Sequence, residues 1–551
     1  MIYPKIPLAQ SIIEICLAKG LTDIVISPGS RNAPLTVGFA NNTNFTCYSI
    51  ADERCAAFFA AGMAQQLKKP VAVVCTSGSA LLNYYPAIAE AFYSQIPVVV
   101  ISADRPHDKI DIGDGQTIRQ ENVYANHILF SANLLEDAST ENDRLINEAI
   151  NTAVLLKGPV HINAPFEEPL YETVTELSVQ SEVFNTIIDD ILPEDLTLYA
   201  NKWNEAKKKL ILVGVNDPDI IDPSIIEQLA NDPSVVVMTE TTSNLHHDSF
   251  LNNIDTIITP FTHEDFIAYK PDILITFGGM VVSKRVKAWL RKYKPEEHWH
   301  IDTLRAYDTF GALTKHFEID ANTFFKDLLP QTIAIESTYR EMAQKLKAYR
   351  KVKHDEYLSK IPFSDFKVFE LLILALPENL QVQISNSSAI RYMQLFDVKE
   401  SVEVFCNRGT SGIDGSTSTA VGAAVASGKE TIVVTGDISF LYDSNALWNN
   451  YIPKDFKIVI INNGGGGIFR ILPGHKETPV FNTYFETEHH LTAEHLAKMY
   501  GFVYQKATNE EELKIELETF MQKGAQPKIL EVFTPMHEND KVLLQYFKEL
   551  L

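Results

Sequence analysis

The chain predicts an α/β protein of three successive doubly wound parallel-sheet domains. Three observations predict it. Short β-branched runs recur along the chain, helix-length segments separate them, and the rhythm breaks twice, near 167–200 and near 335–365. Continuous apolar strands alternating with helices belong to parallel sheets covered on both faces. A length of 551 residues accommodates three such units, expected at 1–175, 195–340 and 360–551.

In the first block, residues 8–19 carry helical apolar spacing and 23–27 (DIVIS) read as a strand. Residues 53–67 (ERCAAFFAAGMAQQL) are rich in alanine and unbranched side chains and predict a helix. PVAVVCT (70–76) and PVVVISA (97–103) predict strands, joined by one crossover helix over 78–94. An acidic linker is expected over 167–200. The second block has strand candidates at 209–215, 234–240 and 272–279, and a charged helical connection follows at 335–365. The third has them at 381–387, 431–437, 456–463 and 528–534.

Composition narrows the function. With 48 basic against 71 acidic residues, the net charge of −23 repels nucleic acid and anionic membrane surfaces. No apolar run approaches the ~18 residues a spanning helix needs. The opening MIYPKIPLAQ lacks the profile of a secretory signal. Five cysteines, odd in number and without a CxxC pair, read as reduced core thiols. The expectation is a cytoplasmic small-molecule enzyme.

The sharpest chemical signal is in the third block. Gly436-Asp437 and Asn462-Asn463 each end a strand, with a crossover between them, and ligands in open parallel sheets sit at such ends. An Asp carboxylate and an Asn amide oxygen are hard ligands suited to magnesium, which completes its octahedron with phosphate oxygens and water. The glycines at 464–467 permit close approach and can offer a carbonyl, assigned to Gly465. Taken singly, Asp437 and Asn463 would be read as caps or turn formers; their paired spacing favours a cation–diphosphate site.

That spacing resembles the thiamine-diphosphate fingerprint, with Ile438 where many such enzymes carry glycine. Such a cofactor also needs a carboxylate to share a proton with its aminopyrimidine ring. Glu53, where a strand gives way to the 53–67 helix, is the candidate; its plain alternative is an acidic residue in a first helical turn.

The resemblance then becomes specific. SPGSRNAPL (27–35), DERCAAFFAAG (52–62), TSGSALLNYYPAIAEA (76–91), SADRP (102–106), NRGTSGIDG (407–415), GDISFLYDSNAL (436–447) and NNGGGGIF (462–469) are together similar to the 2-succinyl-5-enolpyruvyl-6-hydroxy-3-cyclohexene-1-carboxylate synthase family of menaquinone biosynthesis. The resemblance implies three domains of the thiamine-diphosphate enzyme type, the first binding the pyrimidine and the last the diphosphate. It implies thiamine diphosphate with Mg2+, or Mn2+ in its place. It implies a homodimer or homotetramer with Glu53 in one subunit and the diphosphate motif in its partner. The reaction implied is decarboxylation of 2-oxoglutarate and addition of the succinyl-semialdehyde unit to isochorismate, with release of CO2.

Both substrates carry two carboxylates, which arginine's planar fork matches. The resemblance assigns Ser30, Arg31, Arg105 and Gln116 to isochorismate, with Lys284 and Arg285 reaching in from the central domain. It assigns Arg391 and Arg408 to 2-oxoglutarate, Ser387 and Ser411 to hydrogen bonding, Ile413 to propping the cofactor, and Ile468 and Phe469 to walling the cavity. Among these, Glu53, Arg31 and Arg408 are expected to act in catalysis. Arg31, Arg105 and Arg408 stand in glycine- or proline-flanked strand-end turns, whereas Arg54, Arg119, Arg144 and Arg291 read as solvated surface charges. The histidine pairs, including His489-His490, are given no part in the site. A different thiamine enzyme would share Glu53, Asp437 and Asn463 without needing the arginines together; a silent binding protein would have no use for both cofactor elements.

Overall fold

In a computed structural model describing residues 2–185, 195–472, 474 and 477–551, three parallel sheets follow one another along the chain. The first orders its strands Thr46–Ser49, Asp23–Ile26, Val71–Cys75, Val98–Asp104, Val160–Pro165, Phe130–Asn133. The third runs Glu403–Phe405, Gln381–Ile384, Thr431–Gly436, Lys457–Asn462, Lys528–Phe533, Val503–Ala507. The two orders are the same. In each, the chain leaves one strand toward one edge and the next-but-one toward the other, opening a crevice at their carboxyl ends. These crevices lie after Ile26 and Cys75 in the first sheet and after Ile384 and Gly436 in the third. The central sheet, Val235–Thr239, Lys209–Val213, Ile273–Phe277, Glu297–Ile301, Lys315–Phe317, is also parallel throughout.

The helix expected over 53–67 is Glu53–Leu67, capped by the Asp52 carboxylate accepting from Cys55 N. It packs lengthwise on Ser416–Ser427 of the third unit, and glycines make the approach possible. A Cβ at Gly62 would stand 2.0 Å from Thr419 O, and one at Gly422 2.0 Å from Phe59 O. One apolar core accordingly runs through both units, from Val73 and Phe58 to Val421 and Ile458.

Two expectations are corrected. The single helix over 78–94 is two, Ser79–Asn83 and Tyr85–Ser94, because Pro86 has no N–H to continue the donor ladder. The 167–200 segment is not all linker: Thr173–Val174 pairs antiparallel with Tyr3–Pro4, and helix Thr197–Glu205 begins within it. Residues 186–194 of that segment lie outside the described residues. The charged connection is the long helix Tyr339–Leu358, which docks on the C-terminal helix Asn539–Glu549 through Tyr357 Oη to Val542 O (2.7 Å) and His354 with Tyr546 (2.6 Å). No described helix is long and apolar enough to cross a membrane. All five cysteines are free, and four are buried.

Candidate active site

Strand register sets the metal-type pair. Gly436 pairs with Ile461 on the adjacent strand, so Asp437 and Asn463 leave neighbouring strand ends one position out of step. Asp437 Oδ2 accepts from Gly464 N (2.9 Å) and Gly465 N (3.1 Å), and Oδ1 accepts from Ile438 N (2.7 Å). It does shape the glycine turn, yet a carboxylate has about four acceptor sites and retains capacity for a cation. Asn463 is the more telling residue. Its Nδ2 donates to Asp365 Oδ2 (3.0 Å), while its Oδ1 is buried with no partner. A Cβ at Gly465 would stand 2.7 Å from Glu486 O, so only glycine brings that backbone so close. An orphaned hard oxygen beside a carboxylate suits a divalent cation.

Two further side chains border this pair, Asp365, which no motif marks, and His489. Burial pushes the Asp365 carboxyl up to about 6, against hydrogen bonds from Thr534 and Asn463 and with Asp437 adding to the rise. His489 corrects the reading of its pair as bystanders. Its Nε2 stands 3.3 Å from Asp437 Oδ2 and its backbone N donates to Gly464 O (2.9 Å), and the carboxylate raises its pKa.

Glu53 is half-buried in the single chain, its Oε2 accepting from Asn83 Nδ2 (3.3 Å). Asp52 supplies the side-chain cap, and Glu53 is the acidic residue of the first turn, the position its plain alternative gives it. Among the described residues no hydrogen bond or ion pair joins Glu53 to Asp437, Asn463 or the glycine turn. Its neighbours do reach the third unit: Asp52 accepts from Asn445 Nδ2 (2.8 Å), and Arg54 donates to Tyr442 O (3.0 Å) beside buried Asp443 (3.5 Å). Arg54 is thus an interdomain residue and not the solvated charge expected. Arg119 and Arg144 are exposed and paired with nearby acids.

The cations fall into two groups. In the first unit, Arg31 is buried, donating to Phe166 O (3.0 Å) and Glu168 Oε1 (3.1 Å), and Arg105 donates to Gly115 O (3.0 Å) and lies 3.9 Å from the same Glu168 oxygen. Burial and the Arg105 charge push Arg31 below its ordinary value. Both guanidinium groups keep a buried Nε without a partner. Ser30 is exposed in the same strand-end turn, and Gln116 follows Gly115 in the left-handed region (φ 55°).

The second group joins the central and third units. Arg408 donates to Asn386 Oδ1 (2.6 Å) and Arg391 to Ser387 O. Burial, then the Arg408 charge, lowers Arg391. Lys284 and Arg285 open helix Lys284–Lys292, whose cap, Ser283, is held by two carboxylates, buried Glu240 and half-buried Asp255. Glu240 accepts from Val282 N (2.6 Å) and Ser283 N (2.7 Å), and Asp255 accepts from Ser283 Oγ. Asp255 faces Arg285 and Arg391; Glu240, raised to about 7 by burial, faces Arg408. In this single chain Arg285 and Arg391 share the Asp255 carboxylate, and Lys284 and Arg408 share Lys287 as a neighbour, so the start of this central-unit helix lies by the Arg391–Arg408 group. In each group a buried or half-buried arginine stands beside a second one, and burial is the larger cause of the lowered Arg31 and Arg391.

The loop behind Arg408 is held across the unit boundary. Glu90, buried on helix Tyr85–Ser94, accepts from Gly409 N (2.7 Å), Thr410 N (2.6 Å) and Thr410 Oγ1 (2.8 Å). Ser411 Oγ donates to Arg408 O (3.4 Å), and Ile413 O accepts from Ser439 Oγ (2.8 Å), two residues beyond Asp437. Ser387 and Ser411 adopt φ of 68° and 61°, strain of the kind found at functional sites. Ile468 and Phe469 lie on the turn after the glycines, Phe469 6.0 Å from the Phe485 ring.

Comparison with known proteins adds two findings. The chain matches family descriptions reading "Thiamine pyrophosphate enzyme, N-terminal TPP binding domain" over residues 6–125, "Middle domain of thiamine pyrophosphate" over 195–382, and "Thiamine pyrophosphate enzyme, C-terminal TPP binding domain" over 387–532. It is 68% identical over 553 residues to a Flavobacterium johnsoniae protein and 68% identical over 554 to one from Flavobacterium psychrophilum, covering 100% of each chain. A Porphyromonas gingivalis protein is 39% identical over 547 residues, covering 96% of this chain and 94% of its own. All three relatives are named 2-succinyl-5-enolpyruvyl-6-hydroxy-3-cyclohexene-1-carboxylate synthase.

Proposed function

The chain belongs to the 2-succinyl-5-enolpyruvyl-6-hydroxy-3-cyclohexene-1-carboxylate synthase family of thiamine-diphosphate enzymes, and from that premise we propose that it decarboxylates 2-oxoglutarate and joins the succinyl-semialdehyde unit to isochorismate in menaquinone biosynthesis. The observation that carries the reading is the buried, partnerless Asn463 Oδ1 beside Asp437. Thiamine diphosphate, when bound, supplies the electron sink for decarboxylation and carboligation. Asp437, Asn463 Oδ1 and the Gly465 carbonyl hold Mg2+ or Mn2+ against its diphosphate. Glu53 holds the proton at the pyrimidine ring nitrogen, and Ser411, Ile413, Ile468 and Phe469 line the cofactor.

Arg31, Arg105, Ser30 and Gln116 bind the isochorismate carboxylates, and Arg391, Arg408 and Ser387 bind the 2-oxo acid. Lys284 and Arg285 close the site from the central unit. Two copies form each active site, Glu53 of one facing the diphosphate motif of the other. Support comes from the large apolar side chains on segments bordering that motif, since Tyr442, Trp448, Tyr484 and Phe485 are all exposed. The copies form a homodimer, or a homotetramer built from it, working in the cytoplasm.

The test is an assay of purified protein with thiamine diphosphate, Mg2+, 2-oxoglutarate and isochorismate. Formation of the carboligation product is the expected result. Release of CO2 without carboligation points to a different thiamine enzyme, and no reaction refutes the proposal.

A further inference from the structure

Whether Asn463 can serve a cation depends on which way its amide faces. A carboxamide presents an acceptor on one side and two donors on the other. Only the donor side has a protein partner here, the Oδ2 of Asp365 at 3.0 Å. Asp365 lies 98 residues earlier in the chain and is 2% exposed.

Asp365 is itself held in place. Its Oδ1 accepts from Thr534 Oγ1 (2.6 Å), and its backbone N donates to Asn539 Oδ1 (2.8 Å). Thr534 N donates in turn to Asn462 O (3.0 Å), the residue before Asn463, so the support returns to the strand end it serves. A capping role does not explain Asp365, because Ser364 caps helix Asp365–Ala375. Nor does ion pairing, because among the described residues no Lys, Arg or His stands within salt-bridge distance of it. A buried anion without a cationic partner is costly. A divalent cation on the far side of Asn463 would offset that cost.

We propose that Asp365 is a positioning residue, whose acceptor-only carboxylate sets the polarity of the Asn463 amide so that Oδ1, and not Nδ2, faces the cation held with Asp437. This rests on the reading of 437 and 463 as cation ligands. The logic predicts its own reversal. With a carboxamide at 365, one oxygen still serves Thr534, and the NH2 turned toward Asn463 forces that amide to flip and present its donors to the cation. Exchanging the two groups restores an acceptor toward the cation while keeping the net charge of the buried pair.

The test measures Mn2+ affinity by electron paramagnetic resonance of the free ion, with thiamine diphosphate present, in the full-length protein. Asp365→Asn should weaken binding by roughly 10–100-fold, the usual cost of losing a residue that orients a ligand, with little change in melting temperature. The double exchange Asp365→Asn with Asn463→Asp should regain most of the lost affinity. Wild-type affinity in Asp365→Asn overturns the inference, and so does a double exchange that binds no better than the single variant. If wild type itself binds no Mn2+ in the presence of the cofactor, the cation reading of the site falls with it. Should Asp365→Asn fail to fold, Thr534→Val takes its place. That change frees one carboxylate oxygen to swing; weakened Mn2+ binding supports the inference and unchanged binding overturns it.

Discussion

Glu90 is the most exposed point of the proposed mechanism, although it touches no substrate. It is 2% exposed and carries four hydrogen bonds: Oε1 accepts from Gly409 N and Ser94 Oγ, both at 2.7 Å, and Oε2 from Thr410 N at 2.6 Å and Thr410 Oγ1 at 2.8 Å. Replacing it with glutamine keeps the shape but turns one acceptor into a donor. Whichever way the amide settles, the N–H of Gly409 or Thr410 then faces another N–H. A buried donor left without an acceptor costs about 1–3 kcal/mol, and more when the lost partner was charged. Glu90→Gln should therefore destabilise the protein by about 3 kcal/mol. Gly409 and Thr410 directly follow Arg408, so the loop carrying that guanidinium should loosen too. If about 1.4 kcal/mol of the loss reaches the 2-oxo acid subsite, its KM rises roughly tenfold. Urea unfolding and steady-state KM for each substrate measure the two effects. Stability within about 0.5 kcal/mol of wild type, the range of ordinary surface changes, or an equal rise in both KM values, would refute the reasoning.

Three further outcomes are expected. Arg31→Ala removes a charge-assisted contact of about 1.5–3 kcal/mol, so kcat/KM for isochorismate should fall roughly 10–100-fold while 2-oxo acid decarboxylation persists; unchanged kinetics would favour another thiamine enzyme. Glu53→Gln should leave folding and Mn2+ binding intact, because Asp52 caps the helix, yet lower turnover at least ~100-fold in a single-turnover assay; normal turnover removes the proposed proton role. Burial lowers the His354 imidazole to about 4, below its ordinary ~6.5. The unfolded chain therefore takes up this proton first, and the stability His354 contributes is complete above pH ~6.5 and lost as pH falls toward 4. Over that ~2.5-unit gap the loss is at most about 3 kcal/mol. In His354→Phe, stability should fall less steeply between pH 6.5 and 4 than in wild type, and equal slopes in urea titrations would contradict the assignment.

Much of this molecule is legible before folding, and the boundary of legibility has a physical cause. The apolar runs at 209–213, 431–436 and 457–462 are strands within a residue or two of expectation, because a strand buried on both faces must be apolar throughout. Val160–Pro165 escapes that rule. It lies inside the first sheet yet carries His161 and Asn163, and His161 Nε2 and Asn163 Oδ1 are bonded internally by Ser102 (2.7 and 2.8 Å) and, for Asn163, by Gln120 (2.9 Å). The edge strand Thr46–Ser49, expected before the 53–67 helix, breaks the rule for the opposite reason, being half in water and correspondingly polar. A polar group bonded to a partner tens of residues away leaves no local pattern to read.

The same distinction divides the site. Asp437, Asn463, Arg31, Arg105 and Arg408 stand at strand ends, where the order of the sheet alone sends ligands, so their local spacing carries the signal. Glu90, Asp365 and His489 act on turns 319, 98 and 52 residues away from them along the chain, and none of the three is linked to its turn by a local spacing. Tertiary packing creates these contacts, within the third unit for Asp365 and His489 and across the unit boundary for Glu90. Gly62 and Gly422 look like ordinary small residues in alanine-rich helices, yet they let backbone meet backbone between the first and third units. That approach sets Glu90 against the Arg408 loop. A larger residue at either glycine would push the helices apart and withdraw the carboxylate from Gly409 and Thr410, so packing at a distance governs the geometry of a substrate arginine that the motif alone would credit to its own loop.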